Sequence, residues 1–180
     1  MLIVDLPEDD PRPLLLIDVD GVLNVLSRHP KPRIYNEHVV TIGTYDFPIR
    51  FRKELSDWIF TLVEHYVPVW CTMWDDEANE HLAPLLGLPD FPVIPCNESG
   101  TRLALGGPVS PLHHKVPSIE EHVGNRAFAW VDDEIGRHDE AWGARRTVEV
   151  APTYLLRIDQ RMGLLEHHVN KLVTWAEELA

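Results

Sequence analysis

Asp18 and Asp20 stand two residues apart, directly after the apolar run Leu14-Leu15-Leu16-Ile17, and Gly21 follows at once. Thr72 closes a second apolar run, Val67 to Cys71, and the pair Asp132-Asp133 closes another, Ala127 to Val131. Carboxylates crowded together repel one another, and burial raises the cost of keeping them charged. A divalent cation relieves that repulsion. Hard oxygen ligands favour Mg²⁺, which keeps waters and accepts a substrate phosphate oxygen. In such a site Asp18 can attack phosphorus as a carboxylate nucleophile. Asp20 is placed to protonate the leaving oxygen and later to deprotonate the attacking water. Thr72 can donate a hydrogen bond to the phosphoryl group, whose equatorial charge also needs a cation. Lys115, in His113-His114-Lys115-Val116-Pro117, is the candidate for that cation; Lys53 fits less well because it precedes the second strand.

Each group also has an ordinary reading. Asp18 and Asp20 could form an acidic turn, Asp132/Asp133 and Thr72 could cap helices, and Lys115 could be a solvated loop lysine. A calcium loop of the EF-hand kind fits poorly, because Gly21 comes too early after the first aspartate. Trp74 could stack on a base at a crevice mouth, but a core role is the stronger reading. His113/His114 and His167/His168 read as surface histidines, and Arg50 and Arg52 as a solvated face.

The functional reading requires strands whose carboxyl ends share one edge, which is where open parallel sheets place ligands. The pattern provides them. Four apolar residues in a row before Asp18 read as a strand buried on both faces, and Gly21 allows a sharp turn after it. A loop at residues 28–33 follows, then a hairpin with arms Val39–Ile42 and Tyr45–Phe47 around Gly43-Thr44. Leu55, Trp58, Ile59, Leu62, Val63 and Tyr66 recur at helical spacing, predicting a helix over 51–66. Val67–Cys71 is the second buried strand, 75–86 a helix, Phe91–Ile94 a third strand and 97–117 a loop. Ser118-Ile119-Glu120-Glu121 fits a capping box that opens a short helix. Strand Ala127–Val131, a helix over about 135–145, a strand at Thr147–Val150 and a last helix starting near Gly163 complete the chain. Strands alternating with helices imply a mainly parallel sheet covered on both faces.

With Asp18-Val19-Asp20-Gly21-Val22, Thr72, Lys115 and Asp132-Asp133 in this order at strand ends, the chain resembles the haloacid dehalogenase (HAD) superfamily over about residues 14–150. The resemblance implies an α/β fold: a three-layer Rossmann-like parallel sheet with helices on both faces and a β-hairpin flap after the first strand. It implies Asp18 as nucleophile and metal ligand. Asp20 would be the acid/base that lends its backbone carbonyl to Mg²⁺. Thr72 and Lys115 would bind the phosphoryl group. Asp132 and Asp133 would complete the metal shell, Asp132 directly and Asp133 through water or a hydrogen bond. An aspartate at position 20 favours phosphoryl transfer over dehalogenation. The gaps Asp20–Thr72 and Thr72–Lys115 are filled by the elements above, leaving no room for a cap domain. The site is therefore expected to be open to bulky substrates, similar to capless HAD domains of nucleic-acid and RNA repair proteins. The expected activity is phosphate monoester hydrolysis through an aspartyl-phosphate. The alternatives are a non-catalytic phosphate- or partner-binding module and a phosphotransferase.

With 180 residues, a single domain is expected, burying roughly 70% of its unfolded surface. The net charge of −13 opposes nonspecific binding to nucleic acid or anionic membrane. The phosphorylated partner, small molecule or nucleic-acid end, stays open. Met1-Leu2-Ile3-Val4 lacks a basic flank, so a signal peptide is not expected. No apolar run approaches a membrane span. The two cysteines, Cys71 and Cys96, lack metal-ligand spacing, and Cys71 reads as a buried thiol. A cytoplasmic protein is expected.

Overall fold

The computed structural model describes residues 6–7, 9–27, 33–96 and 110–180. Most of the loop expected at 28–33, and residues 97–109 of the one expected at 97–117, lie outside the described residues. Strand β1 (Leu14–Ile17) is flanked on one side by β4 (Val67–Trp70) and on the other by β5 (Phe128–Asp132), with β6 (Thr153–Arg157) beyond. All these pairings are parallel. β2 (Tyr35–Ile42) and β3 (Tyr45–Arg52) form a separate antiparallel hairpin, longer than its expected arms.

The strands bury both faces, and the alternation of side chains divides the core in two. Leu15, Ile17, Trp70, Ala129 and Val131 face helix α1 (Leu55–His65) and the last helix, α5 (Glu166–Glu177). Leu14, Leu16, Val69, Phe128 and Trp130 face α3 (Val116–Val123) and α4 (Arg137–Glu149). Each buried aliphatic or aromatic side chain contributes about 1.5–3 kcal/mol relative to exposure, and the two layers hold the strand ends in fixed register. Among the described residues, no helix is long and apolar enough to cross a membrane.

Several boundaries depart from expectation. Thr147–Val150 is not a strand: α4 runs through Glu149, and β6 begins at Thr153. The β-branched residues that suggest a strand are accommodated in the helix, where Thr147 Oγ1 donates to the Gly143 carbonyl at 3.0 Å. Pro152 then stands between helix and strand. Phe91–Ile94 is reduced to a single parallel bridge, Trp70 with Val93. Pro92 and Pro95 remove the amide donors that a longer ladder needs. Residues 75–86 are not one α-helix: Asp75 has φ +44°, Ala78–Leu82 is a π-helical turn, and α2 covers only Ala83–Leu86. The first helix begins at Leu55, later than expected, because β3 continues to Arg52. Ser118 does not cap α3; the helix starts two residues earlier, with Lys115 at its N-cap and Pro117 in the first turn, a position that suits proline. The last helix starts at Glu166. Gly163, at φ +67°, instead lets the chain approach the turn after β1, where Leu164 N–H donates to the Val22 carbonyl at 2.8 Å.

Candidate active site

The turn after β1 is organised around one carbonyl. Val19 O accepts from the amides of Val22 (3.2 Å), Leu23 (2.9 Å) and Asn24 (2.8 Å), and Gly21 N–H donates to Asn24 O at 2.8 Å. Gly21 sits at φ +81°, and a Cβ there would lie 2.4 Å from Cγ of Asp133. Only glycine therefore lets the β1 turn close against the β5 end. This turn places Asp18 at the strand terminus and Asp20 beside it.

Lys115 joins the two halves of the acidic set. Its Nζ lies 2.9 Å from Asp18 Oδ1 and 2.8 Å from Asp132 Oδ2, and all three residues are buried. The start of α3 fixes its backbone, with Ile119 N–H donating to Lys115 O at 3.0 Å. Burial alone would lower the Lys115 pKa, but the Asp18 and Asp132 charges outweigh it and keep the ammonium protonated far above the neutral range. Burial pushes Asp18 up to about 7, against the pull of Lys115. Burial also works to raise Asp132, yet the His113 ring and the Lys115 ammonium hold it well below the usual carboxylate range. Asp133, half-buried, is pushed up to about 6 by burial and by the neighbouring Asp132 and Glu134 charges. One ammonium therefore faces a cluster with more carboxylates than it can neutralise.

Asp18, Asp132 and Asp133 each offer an oxygen within 4.8 Å of the others. Three carboxylates beside one ammonium offer hard oxygens that could hold a divalent cation. Asp132 already accepts from Lys115 on Oδ2 and from the Glu134 amide on Oδ1, at 2.9 Å. Asp20 is held on both oxygens, by Asn24 Nδ2–H at 2.7 Å and Trp74 Nε1–H at 2.9 Å. Thr72 is buried at the end of β4, where the neighbouring Cys71 N–H donates to the Ile17 carbonyl at 2.9 Å. Its Oγ1 accepts from the Trp74 amide at 3.4 Å, so it stands level with the β1 terminus and also steadies the next turn. Lys53 is exposed.

Sequence reasoning missed His113. It is not a surface residue: its side chain is only 4% exposed. Nδ1 accepts the Lys115 amide proton at 3.1 Å, which leaves the ring proton on Nε2. That nitrogen faces Asp132 Oδ1 at 3.5 Å and Glu134 Oε2 at 3.6 Å, and Trp130 packs edge-on against the ring. His113, His114 and Glu134 also lie close enough to share a cation. A donor at Nε2 opposes that use, however, and directs the ring toward holding Lys115 and Asp132. The only sequence cue was adjacency to Lys115. His168 is likewise half-buried, its Nδ1 accepting the Leu165 amide, whereas His167 is exposed. Trp74 is buried, as a core residue should be, and Arg52 lies over the Tyr35 ring. Cys71 and Cys96 are both buried free thiols.

Beside Asp133 opens a cavity of about 590 Å³, also lined by Arg157, Ile158, Asp159, Gln160 and Arg161. No protein-family model matches the chain, and no curated protein matches it.

Proposed function

We propose that this chain is a Mg²⁺-dependent phosphohydrolase of the HAD type, cleaving phosphate monoesters through an aspartyl-phosphate on Asp18. The observation that carries the reading is the buried Lys115 ammonium bridging Asp18 and Asp132, with Asp20 one short turn away. The strand order supports it, since central β1 has β4 and β5 as its two neighbours and their carboxyl ends share one edge.

In this mechanism Lys115 and Thr72 bind the phosphoryl oxygens, and the Asp18 carboxylate attacks phosphorus. The bond from phosphorus to the leaving oxygen breaks as Asp20 delivers its proton to that oxygen. Asp20, now a carboxylate, takes a proton from water. That water attacks phosphorus, breaks the bond to Asp18 and releases phosphate. Asp18, the Asp20 carbonyl and the Asp132/Asp133 pair would hold Mg²⁺, which would supply charge neutralisation at the phosphoryl group. Because both Asp132 oxygens already accept hydrogen bonds, Asp133 is the more available direct ligand, the reverse of the order expected from the sequence.

In this reading the hairpin β2–β3 serves as the flap and, among the described residues, no separate domain covers the site, so bulky phosphate esters, including nucleic-acid ends, are admissible substrates of a cytoplasmic enzyme. The test is phosphate release from p-nitrophenyl phosphate with and without Mg²⁺. The wild type should turn over only with metal, and Asp18→Asn should lose on the order of 10⁴-fold or more. Full activity in Asp18→Asn would remove the reading. Mg²⁺-dependent binding of phosphate without turnover of any ester would favour a non-catalytic module, and transfer to added alcohols a phosphotransferase.

A further inference from the structure

We propose that Asn24 and Trp74 are positioning residues that clamp the Asp20 carboxylate from both sides and tie its placement to strand β3 of the hairpin. The proposal rests on the phosphohydrolase reading in one respect, that Asp20 is the acid/base. The clamp itself is a matter of geometry. Asp20 Oδ1 accepts from Asn24 Nδ2–H at 2.7 Å, and Oδ2 accepts from Trp74 Nε1–H at 2.9 Å. The two donors come from different elements, the turn after β1 and the turn after β4. With one oxygen held by each, the carboxyl plane cannot rotate without breaking a hydrogen bond.

Both donors are themselves fixed. Asn24 and Trp74 are buried, at 4% and 8% exposure, so an N–H left without an acceptor there would cost about 1–3 kcal/mol. Asn24 Oδ1 accepts the Arg50 amide proton at 2.9 Å, and Val25 N–H donates to the Arg50 carbonyl at 3.0 Å. Since Oδ1 is taken by Arg50, the amide nitrogen must point at Asp20. The Trp74 indole packs edge-on against Phe47, with centroids 5.6 Å apart. Phe47 and Arg50 both belong to β3. The hairpin therefore reaches the acid/base by two routes, and a displacement of β3 would strain both hydrogen bonds to Asp20.

A purely structural role would make these residues matter equally for every substrate. In kcat/KM, which reports the steps up to departure of the leaving group, a positioning role makes them matter where a proton is needed on the leaving oxygen. The later activation of water by Asp20 would slow for both esters alike and show in kcat. An alkyl phosphate has a poor leaving group that needs the proton; p-nitrophenolate departs without it. General acid–base catalysis contributes about 10²–10⁴-fold. In Trp74→Phe and in Asn24→Asp, kcat/KM for a simple alkyl phosphate should fall by about 10²-fold, toward the loss expected in Asp20→Asn. For p-nitrophenyl phosphate it should stay within about threefold. Trp74→Phe is the sharper variant, because it removes the donor to Asp20 and keeps an aromatic ring against Phe47. Asn24→Asp keeps an acceptor for the Arg50 amide but also sets a second carboxyl against Asp20. Equal losses on both esters would overturn the proposal.

A second measurement needs no turnover. The Trp74 indole N–H resonance, identified by its loss in Trp74→Phe, should move in Asp20→Ala. An unmoved resonance would overturn the clamp. If the wild type hydrolysed neither ester, the phosphohydrolase reading would fail, and the indole resonance would still decide the clamp.

Discussion

At the amino end of the sheet, Arg126 donates to the carbonyls of Pro7, Asp10 and Arg12, and Arg146 donates to those of Gly124, Arg126 and Ala151. At the carboxyl end, Asp18 and Asp132 converge on the ammonium of Lys115, and Asp133 offers an oxygen within 4.8 Å of both carboxylates. Both ends contain buried charge, but the balance differs. Each guanidinium meets backbone acceptors in loops that the strands leave unpaired, so its role in the fold is complete without a ligand. The carboxyl end is over-supplied with negative charge, and burial pushes Asp18 and Asp133 toward their protonated forms. A fold gains nothing from such an imbalance. Under the proposed reading, a cation would balance it.

Removing the charge at either end should cost stability, but only at the carboxyl end should it cost activity. Lys115→Met leaves Asp18 and Asp132 buried without their cation. It should cost about 3–5 kcal/mol in urea unfolding and abolish phosphatase activity. Adding Asp132→Asn to that variant should recover part of the stability and none of the activity. Arg146→Ala strands several carbonyls at the amino end. It should cost about 1.5–3 kcal/mol, while the folded fraction hydrolyses p-nitrophenyl phosphate at the wild-type rate.

At the carboxyl end the proposed metal would compete with protons. Asp18, pushed up to about 7, must lose its proton to hold Mg²⁺. The apparent Mg²⁺ affinity, measured by calorimetry, should weaken about tenfold per unit as pH falls below that value, and more steeply below about 6, where Asp133 also takes up a proton. An affinity flat between pH 5 and 7 would contradict this assignment.

The smallest effect belongs to the partly exposed surface pair Asp10–Arg12, whose hydrogen bonds hold Asp10 down at about 2. Its folded pKa lies below the ordinary 3.8, so its stabilisation is present above 3.8 and lost as pH falls toward 2. Open to solvent screening, it is worth under about 1 kcal/mol. The stability gap between wild type and Asp10→Asn should therefore vanish across that acid window.

The strand ends were legible because the chemistry sits where apolar runs stop: Asp18, Thr72 and Asp132 each follow such a run, and parallel pairing places them at one edge. The order of motifs singled out Lys115 over Lys53 for the same reason. What spacing could not reveal were contacts between distant segments. Asn24 gives no signal in the sequence, since its role depends on Arg50 and Asp20 meeting across the hairpin. His113 looked like a polar loop residue, yet Trp130 and Asp132 enclose it. The end of α4 was misread because Thr147, Val148 and Val150 favour strands locally. Tertiary packing prevailed through Arg146, which anchors the helix to the loops beneath it.

The central claim is a covalent bond between Asp18 and phosphorus, and trapping that bond tests it most directly. Wild-type protein mixed with Mg²⁺ and ³²P-labelled substrate, quenched in acid and mapped by peptide mass spectrometry, should carry phosphate on Asp18, sensitive to hydroxylamine. The label should be absent from Asp18→Asn. Metal-dependent hydrolysis with phosphate on another residue, or turnover that persists in Asp18→Asn with no labelled protein, would contradict the account.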